Sequence, residues 1–148
     1  MVDQAGGGNC YDMVEYEAGY LEAFGVAYKK YFINATNLKN QTLGTHTICV
    51  VPHNGKFIYI EQAFKRVVDE WGYERKKEFD KLNDVFEYVA ECMADYHGQP
   101  IDFGVWDYTT ADIDYGTPIK NFQEWIMTKC KMVYDGEVKN PTVKKEDK

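Results

Sequence analysis

The side chains with the strongest chemical potential in this sequence are one thiol, one imidazole and one carboxylate, far apart along the chain. Cys10 follows "GGGN" and opens "CYDM". Asn9 is a good N-cap, which sets Cys10 in the first turn of a helix. A helix N-terminus lowers a thiol pKa, and the thiolate is the reactive form. The unpaired N–H groups of that turn can also hold a developing oxyanion. A nucleophile of this kind needs a base. Of the three histidines, His53 lies in the turn "PHNG" and His97 in "YHGQP" at a helix end, and both read as solvated loop residues. His46 differs, because it opens a strand between Thr45 and Thr47.

The element that positions His46 is the clearest local signal in the chain. "THTICVVPHNGKFIYIEQ" (45–62) is two β-prone runs joined by Asn54-Gly55, the favoured centre of a type I′ hairpin. With that two-residue turn, His53 pairs with Lys56, Ile48 with Glu61, and His46 with Ala63. Alternation then sets His46, Ile48 and Val50 on one face with Tyr59, Glu61 and Ala63. Glu61 is diagonal to His46 on that face, at about 7–8 Å by backbone spacing and within side-chain reach. A carboxylate there can fix the imidazole tautomer and stabilise the imidazolium. A one-residue slip in register would separate the pair.

Other elements follow from periodicity and punctuation. Met13, Val14, Ala18, Leu21 and Phe24 form one face of a helix that Gly25 ends. "VAYKKYFI" (26–33) reads as a strand and 34–44 as a loop. Phe64, Val67, Val68 and Trp71 predict a short helix ending at Gly72, and "YERKKEF" admits an exposed strand. Asp80 is expected to cap a helix striped by Leu82, Val85, Phe86, Val89 and Met93. "IDFGVWDYT" (101–109) reads as a late strand. Thr117-Pro118 predicts the start of a last helix with the stripe Ile119, Phe122, Ile126, Cys130 and Val133. From Gly136 the chain is polar and charged, so residues 136–148 are expected to be a disordered tail after a single domain over 1–135. A central antiparallel hairpin among helices gives an α+β class.

Composition narrows the function classes. The 148 residues are 45% hydrophobic and 16% aromatic, which is too apolar for a disordered chain and suits one domain. The net charge of −7, with no basic stripe, argues against nucleic acid or an anionic membrane as partner. No signal peptide is legible, and no apolar run nears the roughly 20 residues that span a bilayer. The expected setting is therefore cytoplasmic. Cys10, Cys49, Cys92 and Cys130 form no CxxC, which argues against structural zinc, and there is no calcium-loop pattern, so no cofactor or metal is expected. Cys49, Cys92 and Cys130 read as inert core thiols.

"GNCYDMVEYEAGYLEAFG" followed by "THTICVVPHNGKFIYIEQAF" resembles the transglutaminase-like superfamily, in particular small bacterial and phage-type members with a Cys-aromatic-Asp helix start. The late "DYGTPIKNFQEW" is similar to the end of those members, so the resemblance spans most of 10–126. It implies a transglutaminase-like, papain-like cysteine-protease core, with an N-terminal catalytic helix on an antiparallel sheet and flanking helices. It implies Cys10 as nucleophile, His46 as general base and acid, and Glu61 as orienting acid. Two departures stand out. The third residue is Glu where better-known members have Asp. Nine residues precede the cysteine, so whatever such members carry upstream is expected to be missing. Gln4, six residues before Cys10, matches the Gln to Cys-aromatic spacing of papain-like proteases, where the amide donates to the oxyanion; a frayed terminus is the competing explanation.

The implied activity is acyl transfer at an amide or ester carbonyl of a protein or peptide. Water as acceptor gives a cysteine protease or amidase, and an amine gives a protein-glutamine transglutaminase. Hydrolysis is favoured because nothing specifies an amine site. A catalytically silent phage or bacterial binding module, acting as inhibitor or adaptor, is the alternative from another class.

Overall fold

The computed structural model describes residues 14–15, 18–60, 78–110 and 119–140. It is a mixed α+β structure built on a six-stranded antiparallel sheet. The strands are β1 (Lys29–Thr36), β2 (Thr42–His53), β3 (Lys56–Ile60), β4 (Glu78–Phe79), β5 (Ile101–Asp107) and β6 (Lys131–Val138), and the helices α1 (Leu82–His97) and α2 (Ile119–Lys129) accompany them. Residues 14–15 and 18–23 are also helical. Across the sheet the order is β4-β3-β2-β1-β5-β6.

The hairpin forms as the sequence predicts. Asn54 and Gly55 both take positive φ, 53° and 78°, as a type I′ turn demands. The β2–β3 ladder runs from His53↔Lys56 to Cys49↔Ile60 in the expected register. Glu61 and the predicted helix of 63–71 lie outside the described residues, as does the Thr117-Pro118 cap.

Alternation divides the sheet into two packed faces. One face carries Tyr31, Ile33, Ala35, Ile48, Val50, Tyr59, Phe103 and Val105, and α1 covers it with Val85, Phe86, Val89, Ala90 and Met93. The other carries Phe32 and Cys49, packed with Val14 of the N-terminal helical segment, Tyr108 and Ile126 of α2. Lys30, buried on that second face, donates to Glu15 Oε2 at 2.9 Å and sits 4.9 Å over the Tyr108 ring. That contact fastens the N-terminal segment to β1.

Both long helical ends stop on a glycine in left-handed conformation. Gly25 (φ 70°) donates to the Glu22 carbonyl and Val26 to that of Leu21. Gly98 (φ 68°) donates to Asp95 and Gln99 to Ala94. Both are Schellman closures, in which a residue with no Cβ satisfies the last free carbonyls.

Several expectations need correction. Phe24 is not on the buried stripe; it is 74% exposed and stacks on Tyr20 at the helix end. Of the loop expected over 34–44, residues 34–36 continue β1 and 42–44 open β2, because β1 and β2 pair with each other there and β5 takes the other flank of β1. Asp80 is not the N-cap of α1: Lys81 holds that position without a side-chain cap, and the Asp80 carboxylate takes the Lys56 ammonium instead. The last helix stops at Lys129, and residues 131–138 form β6 against β5. Residues 136–138, read as the start of a tail, thus belong to the sheet. The Phe103 ring lies 3.1 Å from where a Gly136 Cβ would stand, and Val138 is buried at the strand end.

Two tyrosines record the packing on the α1 face. Burial, and then Asp107, pushes Tyr31 up to about 12; a hydrogen bond to Glu87, then burial, does the same to Tyr134. The folded chain therefore keeps two protons that the unfolded chain loses near pH 10. Their contribution to stability is complete below pH about 10 and is lost as pH rises toward about 12. Phenolate absorbance should show Tyr31 and Tyr134 among the late-titrating groups, and the late fraction should lose one group in Glu87→Gln.

Candidate functional site

His46 is the one member of the predicted triad among the described residues. It lies in β2 opposite Ile33 of β1 and is 3% exposed. By alternation it shares the α1 face with Ile48 and Val50. Cys10, Glu61 and Gln4 lie outside the described residues.

The surroundings of His46 explain its burial. Beyond Cys49↔Ile60 the described ladder between β2 and β3 stops, so the stretch of β2 that carries His46 has β1 on one flank only, among the described residues. The far end of α1 lies above this stretch. A Cβ added at Gly44 would meet His97 Nε2 at 3.0 Å, so the His97 ring rests on the backbone two residues from His46 and on the same face. The His97 ring also stands at 87° to the Tyr96 ring, with centroids 5.2 Å apart.

His97 is therefore half-buried against β2 and not the solvated loop residue that its helix-end position suggests. Sequence could have hinted at it only through Gly44, where a glycine inside a strand signals close approach by another group. His53 is exposed at the hairpin tip beside the Asn54 amide, as expected.

The opposite face of the same stretch is polar. Thr45 Oγ1 accepts from Gln123 Nε2 of α2 at 2.9 Å. Thr47 Oγ1 and Asn34 Oδ1 are buried with no hydrogen-bond partner. Orphaned buried polar atoms are rare and mark strained or functional places. They lie on the face where Val14 packs against Phe32 and Cys49. Val14 thus docks on the face opposite to the one His46 shares.

The remaining cysteines divide. Cys49 and Cys92 are buried, as inert core thiols should be. Cys130 is partly exposed in a cleft at the other end of the sheet, where burial, and then Asp107, raises its thiol above the ordinary value of 9.0. No group of three or more His, Cys, Asp or Glu side chains able to hold a metal occurs among the described residues, and no described helix is long and apolar enough to cross a membrane.

The fold is that of a mixed α+β protein with one antiparallel sheet covered on both faces. Compared with known protein families, curated proteins and solved structures, the chain matches none of them.

Proposed function

We propose that this protein performs thiol-dependent acyl transfer at an amide or ester carbonyl, by hydrolysis, with Cys10 as nucleophile, His46 as base and acid, and Glu61 as orienting carboxylate. The observation that supports it is the hairpin: its register is the one the triad needs, and the histidine it carries is buried in β2. One more step of that ladder would set Glu61 opposite Ile48 and diagonal to His46.

His46 takes the Cys10 proton or pairs with the thiolate. The sulfur attacks the carbonyl, and the Cys10 N–H, with the Gln4 amide, holds the oxyanion. His46 returns the proton to the leaving group, which departs and leaves a thioester. Water, deprotonated by His46, then releases the acid and restores the thiol. An amine in place of water would give transamidation. For this chemistry the Cys10 sulfur must reach the face that His46 shares, whereas Val14 packs on the opposite one.

That same separation favours a second reading, a catalytically silent protein-binding module of acidic composition. Site-mapped alkylation by iodoacetamide across pH separates the two. A triad predicts Cys10 labelling with a midpoint well below pH 8, while Cys130 labels only in the alkaline range its raised thiol sets. Slow labelling of Cys10 with an ordinary thiol midpoint sinks the enzyme and leaves the module. An amine-bearing probe then divides the acceptors: its incorporation at a protein glutamine refutes hydrolysis.

A further inference from the structure

At the opposite end of the sheet from the loop joining β1 and β2 is a cleft of about 460 Å³, a volume typical of small-molecule sites. The start of β1, the turn after β5, the end of α2 and the start of β6 enclose it. Lys29, Lys129 and Lys131 all line it, and Asp107 is the one carboxylate there among the described residues. Asp107 is already engaged: Oδ1 accepts from the Thr109 amide at 2.9 Å and its hydroxyl at 2.6 Å, while Oδ2 faces Lys29 Nζ at 3.6 Å. Lys129 and Lys131 have no ion pair among the described residues. Position at the end of α2 suits Lys129 through the helix dipole, but it does not account for Lys131 or Lys29.

Two cations in one cleft without an ion pair among the described residues are unusual in a chain of net charge −7. One wall is the half-buried Trp125 ring, and the exposed Thr110 stands at the mouth. Two such ammonium groups match a phosphate monoester, which carries about two negative charges and several acceptor oxygens, better than a single carboxylate. A flat ring is what an indole wall recognises. We infer that this cleft binds a small phosphate monoester bearing a flat ring, of nucleotide size, its phosphate between Lys129 and Lys131 and its ring against Trp125. The cleft is separate from the proposed triad: Lys29 is four residues along β1 from the partner of His46, about 13 Å at strand spacing.

Calorimetric titration with adenosine monophosphate, adenosine, inorganic phosphate and succinate tests the assignment on the intact chain. Adenosine monophosphate should saturate the protein, with adenosine and phosphate each weaker by about tenfold or more, since each supplies one of two contacts. Binding should weaken as salt is raised. The pair Lys129→Gln, Lys131→Gln should weaken it by about tenfold or more with an unchanged thermal midpoint, because both side chains are exposed. The ligand should also slow alkylation of Cys130, which lines the cleft, without touching Cys10. Absence of saturable binding at millimolar ligand, binding indifferent to the lysine pair, or succinate binding as tightly as adenosine monophosphate would each overturn the inference.

Discussion

Phe86→Ala is expected to destabilise the fold by about 3–5 kcal/mol, a large part of the roughly 5–15 kcal/mol that a domain of this size holds. Phe86 is 1% exposed at the centre of the stripe that presses α1 onto the sheet. Its ring meets Tyr31 edge-on, with centroids 4.8 Å apart and planes at 74°, and lies 5.8 Å from the Tyr134 ring. The loss combines the transfer energy of the ring, a cavity that β1 and β6 cannot close, and the edge-to-face term, which adds about 0.5–1.5 kcal/mol. In urea the midpoint should fall while the slope stays constant, because the surface exposed on unfolding barely changes. Phe24→Ala is the matched control. Both phenylalanines sit on predicted helical stripes, but Phe24 is 74% exposed, so its loss should fall within about 0.5 kcal/mol. A Phe86 loss below about 1 kcal/mol would contradict the packing described.

The contrast between those two residues shows what was legible in the sequence. Signals that depend on a few neighbouring residues were readable: the Asn54-Gly55 turn with its register, the stop at Gly25, and the α1 stripe. Each is a local backbone preference that the fold does not override. Features decided by a distant strand were not readable. Cys130 and Val133 continue the spacing of α2, but residues 131–138 gain a full ladder with β5, and that pairing outweighs helical period. "NAT" is turn-prone alone and becomes strand because two neighbours take up its backbone groups. At the site, the hairpin made His46 visible. His97 stayed hidden because its contact, Gly44, is remote in sequence and the signal is an absent side chain. Which face of the sheet receives the N-terminal segment was equally illegible, since it depends on Phe32 and Cys49 meeting Val14.

His46→Gln carries the largest expected effect on reactivity. An imidazolium beside the thiolate can hold a catalytic cysteine at a pKa of about 6 or lower, against about 8.5 for a free thiol. At pH 6 the thiolate fraction would then fall from about half to a few tenths of a per cent, so Cys10 alkylation should slow by about 100-fold. Near pH 9 variant and wild type should converge, because the thiol ionises unaided. Turnover, where a substrate is found, should fall by about 10²–10⁴-fold through loss of the general base. Glutamine keeps a polar side chain in a buried strand position without opening a large cavity, and the thermal midpoint reports whether β2 survives. His97→Gln and His53→Gln serve as comparisons: one alters the ring resting on Gly44, the other an exposed hairpin tip, and neither should move the Cys10 midpoint. Glu61→Gln should shift it part of the way, since that carboxylate acts only through the imidazole. A Cys10 profile identical in wild type and His46→Gln would remove the base, and with it the acyl-transfer assignment.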